Sequence, residues 1–178
     1  MKKRLLSLSL IIATITGCAM GPTPQNSNEF RQSVTKGSFG TKIDTFEVNR
    51  KYSSVAATLK QKSKECLNIS LVKTQCVDRN CTDYNSFYLP TFKESDNKVD
   101  LVVQWRRDPW RSIFAGGKPP KDGFYITAVD AVPVSQNKTK VTIYGPTKEA
   151  LQSVPTAIKH WAIGDNTGCP DLAQTYWY

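Results

Sequence analysis

Histidine is nearly missing from this chain: His160 is the single one in 178 residues. Nucleophilic catalysis by serine or cysteine normally needs a positioned base, and His160, between Lys159 and Trp161, would have to supply it alone. The chain also lacks a G-x-S-x-G elbow, a phosphate-cradling glycine loop, an H-E-x-x-H pair and a C-x-x-C redox pair. These absences argue against an enzyme, and no cofactor is expected. Asp100, Asp130 and Glu149 could converge as paired carboxylates, although solvated surface acids are the ordinary outcome. Acid is scarce as well, with 15 Asp and Glu against 24 Lys and Arg and a net charge of +9. There is no internal repeat. No apolar run reaches the roughly 20 residues that a membrane-crossing helix needs.

The longest apolar stretch is Leu5 to Ile15, broken by Ser7, Ser9 and Thr14 and preceded by Lys2-Lys3-Arg4. A charged start and a short apolar core form the pattern of an export signal. It ends in Ile15-Thr16-Gly17-Cys18, which resembles the lipobox of bacterial lipoproteins: an aliphatic residue, a variable one, a small one and an obligate cysteine. The resemblance implies that residues 1–17 are removed, that the Cys18 thiol takes a diacylglycerol, and that its new amine is acylated, for instance with palmitate. Several acyl chains together anchor stably where a single one holds only marginally. In enteric-type members an Asp after the lipid cysteine retains the protein in the inner membrane. Ala19 and Met20 stand there instead, so the expected location is the outer membrane, facing the periplasm.

Without residues 1–17 the chain keeps 161 residues and a net charge of +6. That length suits one domain with its own core. The positive balance suits anionic envelope neighbours or a scattered surface charge equally, and export argues against a nucleic-acid partner. Four cysteines remain besides Cys18: Cys66, Cys76, Cys81 and Cys169. An even number in an oxidising compartment reads as two disulfides with three possible pairings. Val77-Asp78-Arg79-Asn80 looks like a turn, so Cys76 and Cys81 could face each other across a hairpin, leaving Cys66 for Cys169. A zinc site is disfavoured, because the C-x4-C spacing has no second close pair and the only histidine is distant.

Residues 18–42 read as the lipidated cysteine and a flexible tether, rich in Gly, Pro, Ser and Asn, with the folded domain over 43–178. Phe46 and Val48 alternate with polar neighbours in a strand over 43–48. Val55, Ala56, Leu59, Cys66 and Leu67 share one face of a helix over 52–67. Strand patterns follow over 69–77, 82–92, 99–106, 124–134 and 138–144. Helical spacing returns with Leu151, Val154, Ile158, Trp161 and Ala162. Pro155 should kink or split that helix, and Gly164 should end it. This order predicts an α+β domain: a single curved antiparallel sheet of about five to six strands with an N-terminal and a C-terminal helix packed on one face. The element order is similar to that of helix-grip domains, of the general kind found in the lipoprotein component of the outer-membrane β-barrel assembly machinery.

Residues 105–121 stand out as a long connection between two strands. Arg106, Arg107, Arg111, Lys118 and Lys121 meet only Asp108, with Trp110, Ile113 and Phe114 interleaved. Trp and Arg are the residues most enriched at binding hot spots, and basic groups among aromatics also suit a bilayer interface. Arg106, Arg107, Trp110, Arg111, Phe114, Lys118 and Lys121 are therefore the expected partner- or membrane-contact residues. The sequence is read as a membrane-anchored, non-enzymatic interaction module or accessory of a cell-envelope complex. The alternative is a lipid- or small-ligand-binding domain with a cavity lined by Phe87, Leu101, Val103, Phe124, Ile126, Leu151, Ile158 and Trp161.

Overall fold

The computed structural model describes residues 22–38, 40–77, 79–108, 119–165 and 168–173. Within them the chain forms helix α1 (Ser27–Thr35), strand β1 (Thr41–Val48), helix α2 (Tyr52–Leu67) and strand β2 (Ile69–Val77). Strands β3 (Asn80–Ser95), β4 (Lys98–Asp108), β5 (Phe124–Ser135) and β6 (Lys138–Pro146) follow, then a 3-10 turn at Glu149–Leu151 and helix α3 (Ser153–Ile163). It is an α+β fold with one antiparallel sheet of six strands in the order β1-β6-β5-β4-β3-β2.

Hairpins join β2 through β6, so the sheet is laid down as a meander. The first strand breaks the pattern, because β1 pairs with β6 while β2 lies at the opposite edge. The chain must therefore cross the whole sheet between β1 and β2. Five strand spacings of about 4.8 Å make roughly 24 Å. The 16 residues of α2 rise about 24 Å at 1.5 Å each, so helix length matches sheet width.

The main core lies on one face of the sheet. Val55, Leu59 and Leu67 of α2 and Val154, Ile158 and Trp161 of α3 are buried against Leu101, Val103, Val129, Val141 and Tyr88. α3 begins one residue after Gln152, which makes no side-chain cap, and Pro155 falls in its first turn, where a missing N–H costs nothing. The helical stretch is thus split at its start, with Glu149–Leu151 wound as a separate turn. Gly164 terminates α3 in the left-handed conformation, at φ 97°. Cys66 pairs with Cys169 and Cys76 with Cys81. The first bond fastens the end of α2 to the C-terminal segment, and the second staples the tip of the β2–β3 hairpin, where the two residues are direct partners.

Two expectations are corrected. Residues 27–35 are a helix and not tether, and they lie on the other face of the sheet. Phe30 and Val34 are buried there against Val102 and Ala128, with Tyr125 and Tyr144 alongside. Strand alternation shows the opposition: Leu101 and Val103 face the main core, whereas Val102 between them faces α1. The helices therefore flank the sheet on both sides. Asn26 caps α1, accepting from the backbone N–H groups of Asn28 (3.1 Å) and Glu29 (2.9 Å). Glu29 accepts in return from the Gln25 N–H at 2.8 Å and the Asn26 side chain at 2.6 Å. Two apolar residues four apart among Ser, Asn and Gln are too sparse a stripe to read as a helix from sequence. Residues 1–21, and with them Cys18, lie outside the described residues, as do the closing Tyr176-Trp177-Tyr178.

Candidate interaction surface

The β2–β3 hairpin is longer than the strand beside it. β3 runs 16 residues, and its last pairing with β4 toward the hairpin tip is Asn85 with Asp108. From Lys73, opposite Tyr84, to the Cys76–Cys81 staple, the two strands extend past the end of β4. The first four residues of the basic-aromatic segment 105–121 belong to β4, which runs to Asp108 in pairing with β3, and Trp105 also stands opposite Phe124 of β5. Gly123 precedes β5 at φ 108°, where a Cβ would stand 2.3 Å from the Trp105 carbonyl oxygen. The Gln104 side chain donates to the Gly123 carbonyl at 2.9 Å. Both ends of the segment are thus fixed to the sheet.

Arg106 and Arg107 are neighbours on β4 and so point to opposite faces. Arg106 lies over Phe87 with its guanidinium carbon 4.8 Å from the ring centre, and it is half-buried. Arg107 lies 3.8 Å above the Tyr84 ring and is only 7 % exposed. Such cation–π stacking retains the charge while limiting side-chain freedom. Arg107, expected among the contact residues, follows Val103 and Trp105 on the inward side of β4 and is largely buried against Tyr84. Lys121 is exposed. Trp110, Arg111, Phe114 and Lys118 lie outside the described residues.

Beside Arg107 the sheet buries a second cation that the sequence reading missed. Lys73 is 7 % exposed. Burial lowers its amine pKa, against an opposite pull from the Asp171 carboxylate. Asp171 belongs to the segment that the Cys66–Cys169 bond holds in place. The signal was available in the alternation of Ile69, Leu71 and Lys73 on the inward side of β2. Next to it, the Trp105 indole donates to the Ser86 hydroxyl at 2.6 Å in a buried bond.

The other candidates resolve differently. Asp100 and Asp130 do converge, as direct partners across β4 and β5, yet Arg31 of α1 bridges both, with Asp130 at 3.0 Å. Lys98 also reaches Asp130, at 3.2 Å. Ion pairing on both carboxylates describes a structural cluster better than an acid–base pair. Glu149 lies apart, in the 3-10 turn. His160 is surface-placed, with Nδ1 2.9 Å from the Asp165 carboxylate. Of the residues expected to line a cavity, Leu101, Val103, Ile158 and Trp161 have no exposed surface and belong to one closed core cluster. One open concavity of about 550 Å³ is near Tyr52, Phe92 and Asp96, and another of about 170 Å³ lies beside Lys42 and Pro155. Near the first, burial raises the Tyr52 pKa, with Glu94 and Asp96 adding to the effect. Among the described residues no group of three or more His, Cys, Asp or Glu could hold a metal ion. No described helix is long and apolar enough to cross a membrane.

No protein-family model and no curated protein matches the chain. Among solved structures it is similar to a hypothetical protein from Helicobacter pylori at 13 % identity, covering 75 % of this chain and 89 % of that one, with a TM-score of 0.32. A likeness that weak indicates neither fold nor function.

Proposed function

We propose that the protein is a bacterial lipoprotein, anchored through Cys18 in the outer membrane and facing the periplasm, whose α+β domain is a non-enzymatic interaction module of a cell-envelope complex. The observation that carries this reading is the sheet end just described. Trp105 and Phe124 stand opposite each other, so the strands on either side of the connection are paired. Arg106 borders it on one side and the exposed Lys121 on the other. A basic segment that carries Trp and Phe suits a protein contact, since Trp and Arg are the residues most enriched at hot spots. The two disulfides suit an oxidising compartment.

The architecture supports a helix-grip reading. β1 lies beside β6, bringing the first and last strands together, and α3 follows β6 directly onto the main core.

The test replaces Arg106, Trp110 and Arg111 with alanine in the full chain and compares cross-linked and co-purified envelope proteins. Arg107 is left intact because its burial would confound binding with folding. Loss of a specific partner supports the proposal, and an unchanged partner set overturns it. Intact mass of membrane-extracted protein tests the anchor separately, by showing whether the chain starts at an acylated Cys18.

A further inference from the structure

Helix α1 is held by the sheet more than by its own sequence. Ser27, Asn28, Ser33, Val34 and Thr35 are weak helix formers, and an isolated helix of nine residues is marginal in water. Three side chains dock it. Phe30 stacks on Tyr125 with ring centres 6.0 Å apart, and Val34 is buried in the same cluster. Arg31, 11 % exposed, enters between Asp100 and Asp130 and lies 5.8 Å from the Tyr144 ring.

The receiving surface is matched to that cation. Like charges directly opposite on neighbouring strands repel, and Asp100 and Asp130 are such partners. With α1 lifted away, the two half-buried carboxylates face each other, and Lys98 is the remaining cation on them among the described residues. The sheet thus carries a slot that an arginine completes, and the helix filling it comes shortly after Cys18.

We propose that α1 is a releasable strap that sets how far the domain stands from the membrane. The idea rests on anchoring at Cys18, proposed above. Eight residues, 19–26, separate Cys18 from α1, an extended span of no more than about 28 Å. Twenty-two residues, 19–40, separate it from β1, a span of up to about 77 Å. One docking equilibrium therefore decides whether the module is held near its own bilayer or reaches a partner deeper in the periplasm.

The experiment uses the full acylated chain on a supported bilayer of phosphatidylethanolamine and phosphatidylglycerol. Neutron reflectometry reads the height of the protein layer, and hydrogen exchange reads the amides of residues 27–35. Wild type is compared with Arg31→Ala and with the Phe30→Ala/Val34→Ala pair, which keeps the charges matched if the arginine variant fails to fold. The expected result is at least tenfold faster exchange in 27–35, protected β4 and β5 amides, and a layer raised by roughly 10 Å or more. Arg31→Lys should restore part of the protection. Unchanged height despite lost protection, or protection surviving in both variants, overturns the strap. A mass spectrum without acyl groups on Cys18 instead removes the anchoring reading and the strap's effect on reach with it, so the two failures are separable.

Discussion

Arg50 and Gly164 meet at the C-terminal end of α3, where a Cβ on the glycine would stand 3.1 Å from the arginine Nε. One terminal nitrogen of Arg50 donates to the carbonyls of Trp161 and Ala162, at 2.9 and 3.0 Å. The last carbonyls of a helix lack intrahelical donors, and here a side chain from the β1–α2 connection supplies them. The contact ties the start of the domain to its last helix. A residue with a side chain at position 164 would meet both the left-handed backbone penalty and the crowded guanidinium. Gly164→Ala should therefore destabilise the domain by about 1–2 kcal/mol, more than the backbone penalty alone if Arg50 is displaced. Urea unfolding checks this, and a variant as stable as wild type would show that neither constraint is felt.

The two disulfides close loops of very different length, with sequence separations of 103 and 5 residues. In the chain-entropy picture they contribute about 4.7 and about 2 kcal/mol respectively. The Cys66→Ala/Cys169→Ala pair should lower the melting temperature markedly more than Cys76→Ala/Cys81→Ala. Equal or reversed losses would mean that unfolded-state entropy does not govern these bonds.

Lys73 gives stability an alkaline pH dependence. Burial lowers its pKa, so the folded state holds the proton less tightly than the unfolded state does. Below the folded pKa both states are protonated, and the folded one carries the desolvation cost. Between the folded value and the ordinary lysine value near ~10.4 the unfolded chain binds more protons, so stability gains with rising pH. Lys73→Met should abolish this gain in unfolding measured across alkaline pH. An identical pH profile in the variant would exclude Lys73 as its source.

Ser86 accepts the buried indole hydrogen bond of Trp105. Ser86→Ala leaves that indole without its hydroxyl partner, and the expected cost is about 1–2 kcal/mol, with a shift in tryptophan emission as its environment changes. Wild-type stability and emission together would show that the bond contributes nothing.

The elements of the main core are legible because their residues keep a single period. Val99, Leu101, Val103 and Trp105 alternate, and Val55, Leu59 and Leu67 recur at helical spacing, so each segment announces both its type and its buried face. Cys76 and Cys81 were readable as a candidate pair through the turn between them, and that choice left Cys66 for Cys169. α1 escaped because its buried stripe is two residues long, and its most telling side chain, Arg31, looks like any solvated arginine until Asp100 and Asp130 are brought opposite each other. The burial of Lys73 and Arg107 was not legible for a related reason. A charged side chain usually marks the outward face, and here stacking and position within the sheet draw both inward.

The sequence by itself determined the kinds and order of the main-core elements from β1 to α3 and that four cysteines suit two disulfides, because these follow from local periodicity and parity, whereas α1 and the pairing itself came from the structure. Only the tertiary structure decided which strands are neighbours, that helices cover both faces, and which charges are buried. Those outcomes depend on residues far apart in the chain. Arg31 and Asp130 are 99 positions apart, and the free energy of such a contact exists only once the sheet between them has formed.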